Sequence, residues 1–231
     1  MRGDDSGSAC LLNRRRFLGL AVATAASPLL GPLPWHRAYA AQQGDLRFRA
    51  VWQQSTIGEH RVAFRRDGDR LTVDTHIDIA VRILFFTVFR LKHDAQEIWQ
   101  SGRLVAVTST TVRDRTHLQV SGRAAADGFR ITGENGPFLA GADLLTTNAL
   151  WDSRIVREDR LIDTQYGGEV GLVVRPLGEE QVATPQGTVR AGRYQLITPH
   201  YAGSVFYDGD GRWVKALIEM KGETIEYALA T

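Results

Sequence analysis

From Leu46 onward, apolar and polar residues alternate with a period of two, in runs separated by turn signals. Successive side chains of a strand point to opposite faces, so this period predicts strands with one buried face. Leu46, Phe48, Ala50 and Trp52 share one parity, while Arg47 and Arg49 take the other. Val62 and Phe64 mark a second strand, closed by the hairpin signal Asp67-Gly68-Asp69. The tail follows the same grammar. Val214, Ala216, Ile218 and Met220 alternate, as do Ile225, Tyr227 and Leu229, with turns at Asp208–Gly211 and Lys221-Gly222-Glu223. A final strand this apolar needs a partner, because an open edge invites aggregation. Leu46–Trp52 is the expected one.

The run from Leu71 to Leu91 keeps its parity for far longer than the usual strand of about 5–6 residues. A bulge, bend or turn is therefore expected between Arg82 and Phe86. Further strands follow to Trp99, over Leu104–Val112, His117–Ala125 and Phe129–Thr132. The rhythm breaks from Gly133 to Asp159, where Glu134–Pro137 reads as a loop and Asn148–Val156 as one short helix. Thr147 or Asn148 would cap that helix, and Leu150, Trp151 and Ile155 would form its buried stripe. The meander resumes at Leu161 and runs to the end. The pattern predicts an all-β fold: a single antiparallel meander of about ten or more strands, forming a strongly curved sheet or partly open β-barrel with one short helix.

Composition changes this picture mainly at the N-terminus. Asn13-Arg14-Arg15-Arg16-Phe17-Leu18 carries a twin-arginine export signature with Arg14, Arg15, Phe17 and Leu18 in place. A moderately apolar segment follows, and Ala38-Tyr39-Ala40 offers a small-x-small cleavage site at Ala38 and Ala40. Residues 1–40 are thus read as a twin-arginine signal peptide and 41–231 as the mature β-rich domain. The expected location is the periplasm, with the export machinery and a signal peptidase as transient partners. The formal charge of +2 falls to −1 once the leader's five arginines and two aspartates are removed, which leaves 23 basic and 24 acidic residues. A near-neutral domain has no net electrostatic reason to seek nucleic acid. The single Cys10 lies in the leader, so the mature chain holds no disulfide or thiolate metal site. The apolar run Ile79–Phe89 is too short to span a membrane and contains Arg82.

Glu97-Ile98-Trp99-Gln100-Ser101-Gly102-Arg103-Leu104 resembles a family of exported bacterial proteins, the domain of unknown function 6134 family. The resemblance also takes in Ala149–Asp152, Ala191–Tyr194, and the tail Tyr207-Asp208 through Ile225–Tyr227. It implies an all-β exported domain and brings no functional residues with it.

Candidate chemistry is sparse. Asp74, His76 and Asp78 share one strand face and offer a hydrolase-like acid–base set, though a solvated polar face explains them more simply. His93, Asp94 and Glu97 read as surface charge beside Lys92. No serine lies in a nucleophile motif, and no metal or cofactor site is expected. What remains is the aromatic set. Trp52, Phe85, Phe89 and Trp99 are the expected lining of a pocket for an apolar or lipid-like ligand. Non-catalytic binding is therefore the leading expectation. A cell-envelope scaffold using a sheet edge or an aromatic patch is the alternative.

Overall fold

The computed structural model describes residues 44–230 except 84, 85 and 221, and leaves aside the side chains of 82–88. The export signature and the cleavage site lie outside the described residues, as does the side chain of Phe85.

The alternation folds as expected. Thirteen strands form one antiparallel sheet: β1 (Leu46–Trp52), β2 (Ser55–Asp67), β3 (Arg70–Ile83), β4 (Phe86–Gln100), β5 (Arg103–Arg113), β6 (Thr116–Ala125), β7 (Gly128–Gly133), β8 (Gly136–Ala140), β12 (Val173–Thr184), β13 (Gly187–Ile197), β14 (Ala202–Asp208), β15 (Trp213–Met220) and β16 (Glu223–Leu229). Between β8 and β12 lie three short strands, β9 (Leu145–Thr146), β10 (Arg160–Ile162) and β11 (Glu169–Gly171), which make a sheet of their own. The tail strand β16 pairs with β1, setting Phe48 opposite Leu229 and Ala50 opposite Tyr227. Among the described residues β8 and β12 are the free edges, so the sheet does not close.

The long run from Leu71 to Leu91 is two strands. The chain reverses between Ile83 and Phe86, and the β3–β4 ladder shifts register between Val81 and Arg82. Three other expectations need correction. The loop expected over Glu134–Pro137 is a turn at 134 and 135 only, because Gly136 and Pro137 already pair with Gly133 and Thr132 in β8. Leu161 and Val170 do not rejoin the meander, because β10 pairs in parallel with β9 and antiparallel with β11. The helix expected over 148–156 forms as two 3-10 turns, Ala149–Trp151 and Ser153–Arg157. Asn148 gives no capping bond to the first turn, since its side-chain amide is directed to His93 Nε2 at 3.0 Å. Asp152 sits extended between the turns, accepting from the Arg154 N–H and gripping its guanidinium.

How strongly the sheet curls follows from two contacts. Tyr207 on β14 donates its hydroxyl to the Leu150 carbonyl at 2.8 Å, and His93 on β4 meets Asn148. In a flat sheet these strands, six places apart, would lie roughly 29 Å from each other at the ordinary strand spacing. Their partners are two residues apart in sequence. The sheet therefore wraps around the segment 141–172, which plugs its concave face. Leu46, Phe48, Val73, Ile79 and Trp99 of the wall pack with Leu150, Trp151, Ile155, Leu161 and Ile162 of the plug in one core. A smaller core of Val182, Ala191, Phe206 and Val214 forms separately among β12–β15.

Candidate functional site

The plug is held by polar bonds in a place where alternation alone would put hydrocarbon. β4 points Leu91, His93, Ala95, Glu97 and Trp99 inward, all buried. Glu97 accepts from Thr146 Oγ1 at 2.6 Å and from Trp99 Nε1 at 3.0 Å. Burial pushes its carboxyl up to about 7, against the pull of those two hydrogen bonds. His93 bonds Thr111 Oγ1 at 2.8 Å as well as Asn148, and burial lowers it to about 4. On β5, Ser109 donates to the Thr164 carbonyl and Arg113 to the Tyr166 hydroxyl. His93 and Glu97 are thus interior tethers rather than surface charge; of that trio Asp94 alone faces out. Their parity was the available signal, because positions 93 and 97 match those of Leu91 and Trp99.

Beside these tethers the packing leaves a cavity of about 170 Å³. Its apolar lining comes from Ile77, Leu91, Leu150, Ile218, Met220 and the ring of Tyr227. Its polar lining includes His60, Asn148, Asp163, Gln165, His200 and Tyr201. Asp163 accepts from the backbone N–H groups of Gln165 and Tyr166, and its second oxygen faces His200 Nε2 at 3.4 Å. The His200 ring lies over Tyr166, 4.5 Å between centroids.

Two groups differ from the rest. His60 is 2% exposed, meets Trp213 and Tyr227 edge-on, and has no hydrogen-bond partner on either nitrogen among the described residues. The buried hydroxyl of Tyr201 likewise lacks one. Burial, with a smaller contribution from His93 and His76, holds His60 down to about 3, and burial pushes the Tyr201 phenol well up. Both side chains are therefore neutral at ordinary pH. A shallower depression of about 440 Å³ outside shares Thr198, His200, Tyr201 and Glu219 with the cavity and adds Pro199, Glu223 and Thr224. Inner space and outer groove thus share a wall.

The aromatic residues singled out by sequence sit elsewhere. Trp99 packs edge-on against Trp151, which meets Phe64 in the same way. Phe89 is in the core. Trp52 is half-buried and donates its indole N–H to Glu223, a residue of the outer groove's lining. None of these three lines the cavity. Asp74, His76 and Asp78 do share a face, opposite the buried Val73, Thr75, Ile77 and Ile79. Asp74 is paired with Arg65 and Gln96, and His76 with Asp94 at 2.5 Å. Asp74 and His76 border an open groove on the outer surface, while Asp78 is not part of its lining. Among the described residues no cluster of His, Cys, Asp or Glu is arranged to hold a metal ion, and no helix is long and apolar enough to cross a membrane. His60 and Tyr201 escaped the sequence reading because each looks like an ordinary core or loop residue until the cavity is seen.

The family described as Domain of unknown function (DUF6134) matches residues 48–230. No curated protein matches the chain. Among solved structures, the chain is similar to the crystal structure of a beta-barrel-like protein of domain of unknown function DUF1849 from Brucella abortus. The two share 7% identity at a TM-score of 0.58, over 81% of this chain and 95% of that one. That likeness is one of fold.

Proposed function

We propose that this chain, which belongs to the DUF6134 family, is an exported periplasmic protein that binds a compact apolar or amphipathic molecule without converting it. The observation that carries this reading is the 170 Å³ cavity, lined by aliphatic side chains and by two buried polar groups lacking protein partners. Its volume bounds the ligand. A cavity of about 150 Å³ accommodates one benzene, whereas pockets for drug-sized molecules start at about 300 Å³. A whole acyl chain does not fit inside; a longer ligand would run out over the groove bordered by Pro199, Glu219 and Glu223. Binding without conversion is favoured because the interior charges are already committed, Asp163 to two backbone N–H groups and Arg113 to Tyr166. The leader, with Arg14-Arg15 and Ala38-Tyr39-Ala40, supports the periplasmic location.

Native mass spectrometry of the protein purified from periplasm without organic solvent tests the binding. The expected result is a population carrying one small molecule that gentle activation releases. A uniformly unliganded protein that also takes up none of a panel of small apolar compounds would overturn the reading. Export is tested separately by changing Arg14 and Arg15 together to Lys, which should leave the precursor uncleaved in the cytoplasm.

A further inference from the structure

Resting on the binding reading above, we propose that the buried end of the ligand is a neutral hydroxyl, recognised by His60 and Tyr201. Some of the cavity's polar groups have protein partners, and two buried ones do not. Asp163, Arg113 and Asn148 are each already hydrogen-bonded within the protein. His60 and Tyr201 are not, and both border the same space. A buried polar group without a partner is destabilising, and removing its counterpart from a hydrogen bond is worth roughly tenfold in an equilibrium. A ligand that supplies those counterparts therefore gains affinity that hydrocarbon cannot.

The chemistry of the two groups defines what they ask for. Neutral imidazole offers one N–H donor and one acceptor nitrogen, and a phenol offers a donor and an acceptor on one oxygen. A hydroxyl answers both, since it donates once and accepts twice. Burial keeps both side chains uncharged, so neither balances an ion. An anion would also meet the carboxylate of Asp163 inside and that of Glu219 at the exposed rim. A cation would find Asp163 already facing His200. The aliphatic side chains around them suit a six-membered ring or a branched alkyl group of similar size. A small aromatic or alicyclic alcohol fits this description.

The test compares phenol, toluene, benzoate and benzylamine by calorimetry and saturation-transfer NMR on the purified protein. These probes have similar size and differ in the group presented to His60 and Tyr201. The expected order places phenol about tenfold or more ahead of toluene, with benzoate and benzylamine weaker still. Tyr201→Phe removes one oxygen and should cut the preference for phenol over toluene at least threefold. His60→Leu should do the same, and serves if the first variant does not fold. Equal binding of phenol and toluene, unaffected by either variant, would overturn the hydroxyl proposal and leave the binding reading standing. So would tighter binding of either charged probe. Failure of all four probes, with a high-resolution structure showing only ordered water around His60, would overturn both.

Discussion

Glu97 on β4 and Thr146 on β9 share a 2.6 Å hydrogen bond in a place where neither side chain touches water. The bond joins the wall of the sheet to its plug, and the second carboxyl oxygen is taken by Trp99. Replacing Glu97 by Leu would strand two buried donors, the Thr146 hydroxyl and the Trp99 indole N–H. Each stranded group costs about 1–3 kcal/mol, so Glu97→Leu should destabilise the protein by about 3 kcal/mol. Glu97→Gln should cost far less, because the amide oxygen accepts from Trp99 while its NH₂ donates to Thr146 Oγ1. Urea denaturation of the two variants at pH 6 checks the contrast.

The same residue gives stability an alkaline limb. Its carboxyl is raised from the ordinary range to about 7 by burial, so the folded state holds a proton that the unfolded state releases near 4.5. Stability from this group is present below 4.5 and is lost as pH rises through 7. Buried His60 and His93 act in the opposite sense. Their folded values, about 3 and about 4, lie below the ordinary 6.5, so their contribution is present above 6.5 and is lost as pH falls. Between 4.5 and 6.5 two histidines oppose one carboxyl. The net is one proton, and stability should fall by roughly 1.4 kcal/mol per pH unit on acidification. Glu97→Gln removes the opposing limb: the variant should gain on the parent from pH 5 to pH 8 and acid-denature more steeply. Chemical denaturation at pH 5, 6.5 and 8 measures both trends.

The strands were legible because one period governs them: the parity of Leu46–Trp52 and of Ile225–Leu229 matches the faces they bury. The β16–β1 pairing followed from the need to cover an apolar end. The plug was less legible, since its residues carry no period and its folding is dictated from the wall. Asn148 is no helix cap because His93, 55 residues away, takes its side chain. His93 and Glu97 were misread by chemistry although their parity placed them inside; a charged residue is seldom buried without partners, and those partners lie on a segment whose path local sequence does not specify. His60 and Tyr201 gave no signal at all. Their distinction is a missing partner, which only the assembled interior reveals.

The plug also depends on a close approach of two backbones. A Cβ on Gly133, at the end of β7, would collide with the Tyr166 carbonyl and lie 2.7 Å from the Gly167 Cα. Glu134 N–H donates to that same carbonyl at 2.9 Å. Gly133→Ala therefore has to push the 163–168 turn off the wall, straining the bonds of Ser109 and Arg113 to it. A loss of about 2 kcal/mol is expected, in the range of overpacked core sites. Hydrogen exchange at Gln165, Tyr166 and Gly167 should accelerate more than exchange in β1 or β16. Uniform acceleration across the sheet would show that the turn is not a separable unit.

The open edges pose the last problem, because β8 exposes Phe138 and Leu139 while β12 exposes Val173 and Leu177. Exposed apolar edge strands are templates for another chain. Each edge carries a proline: Pro137 in a five-residue strand, and Pro176 beside a register shift that runs to Glu179 and includes Gly178 in the left-handed region at φ 94°. Proline offers no N–H to an incoming strand, and a bulge bends the edge away from it. Pro176→Val restores a donor next to Leu177 without changing the interior. The variant should stay folded yet self-associate more than the parent at equal concentration in sedimentation velocity. Adding Leu177→Lys should reverse the gain, since charge on an edge opposes pairing. Unchanged sedimentation in Pro176→Val would mean that the bend alone guards the edge.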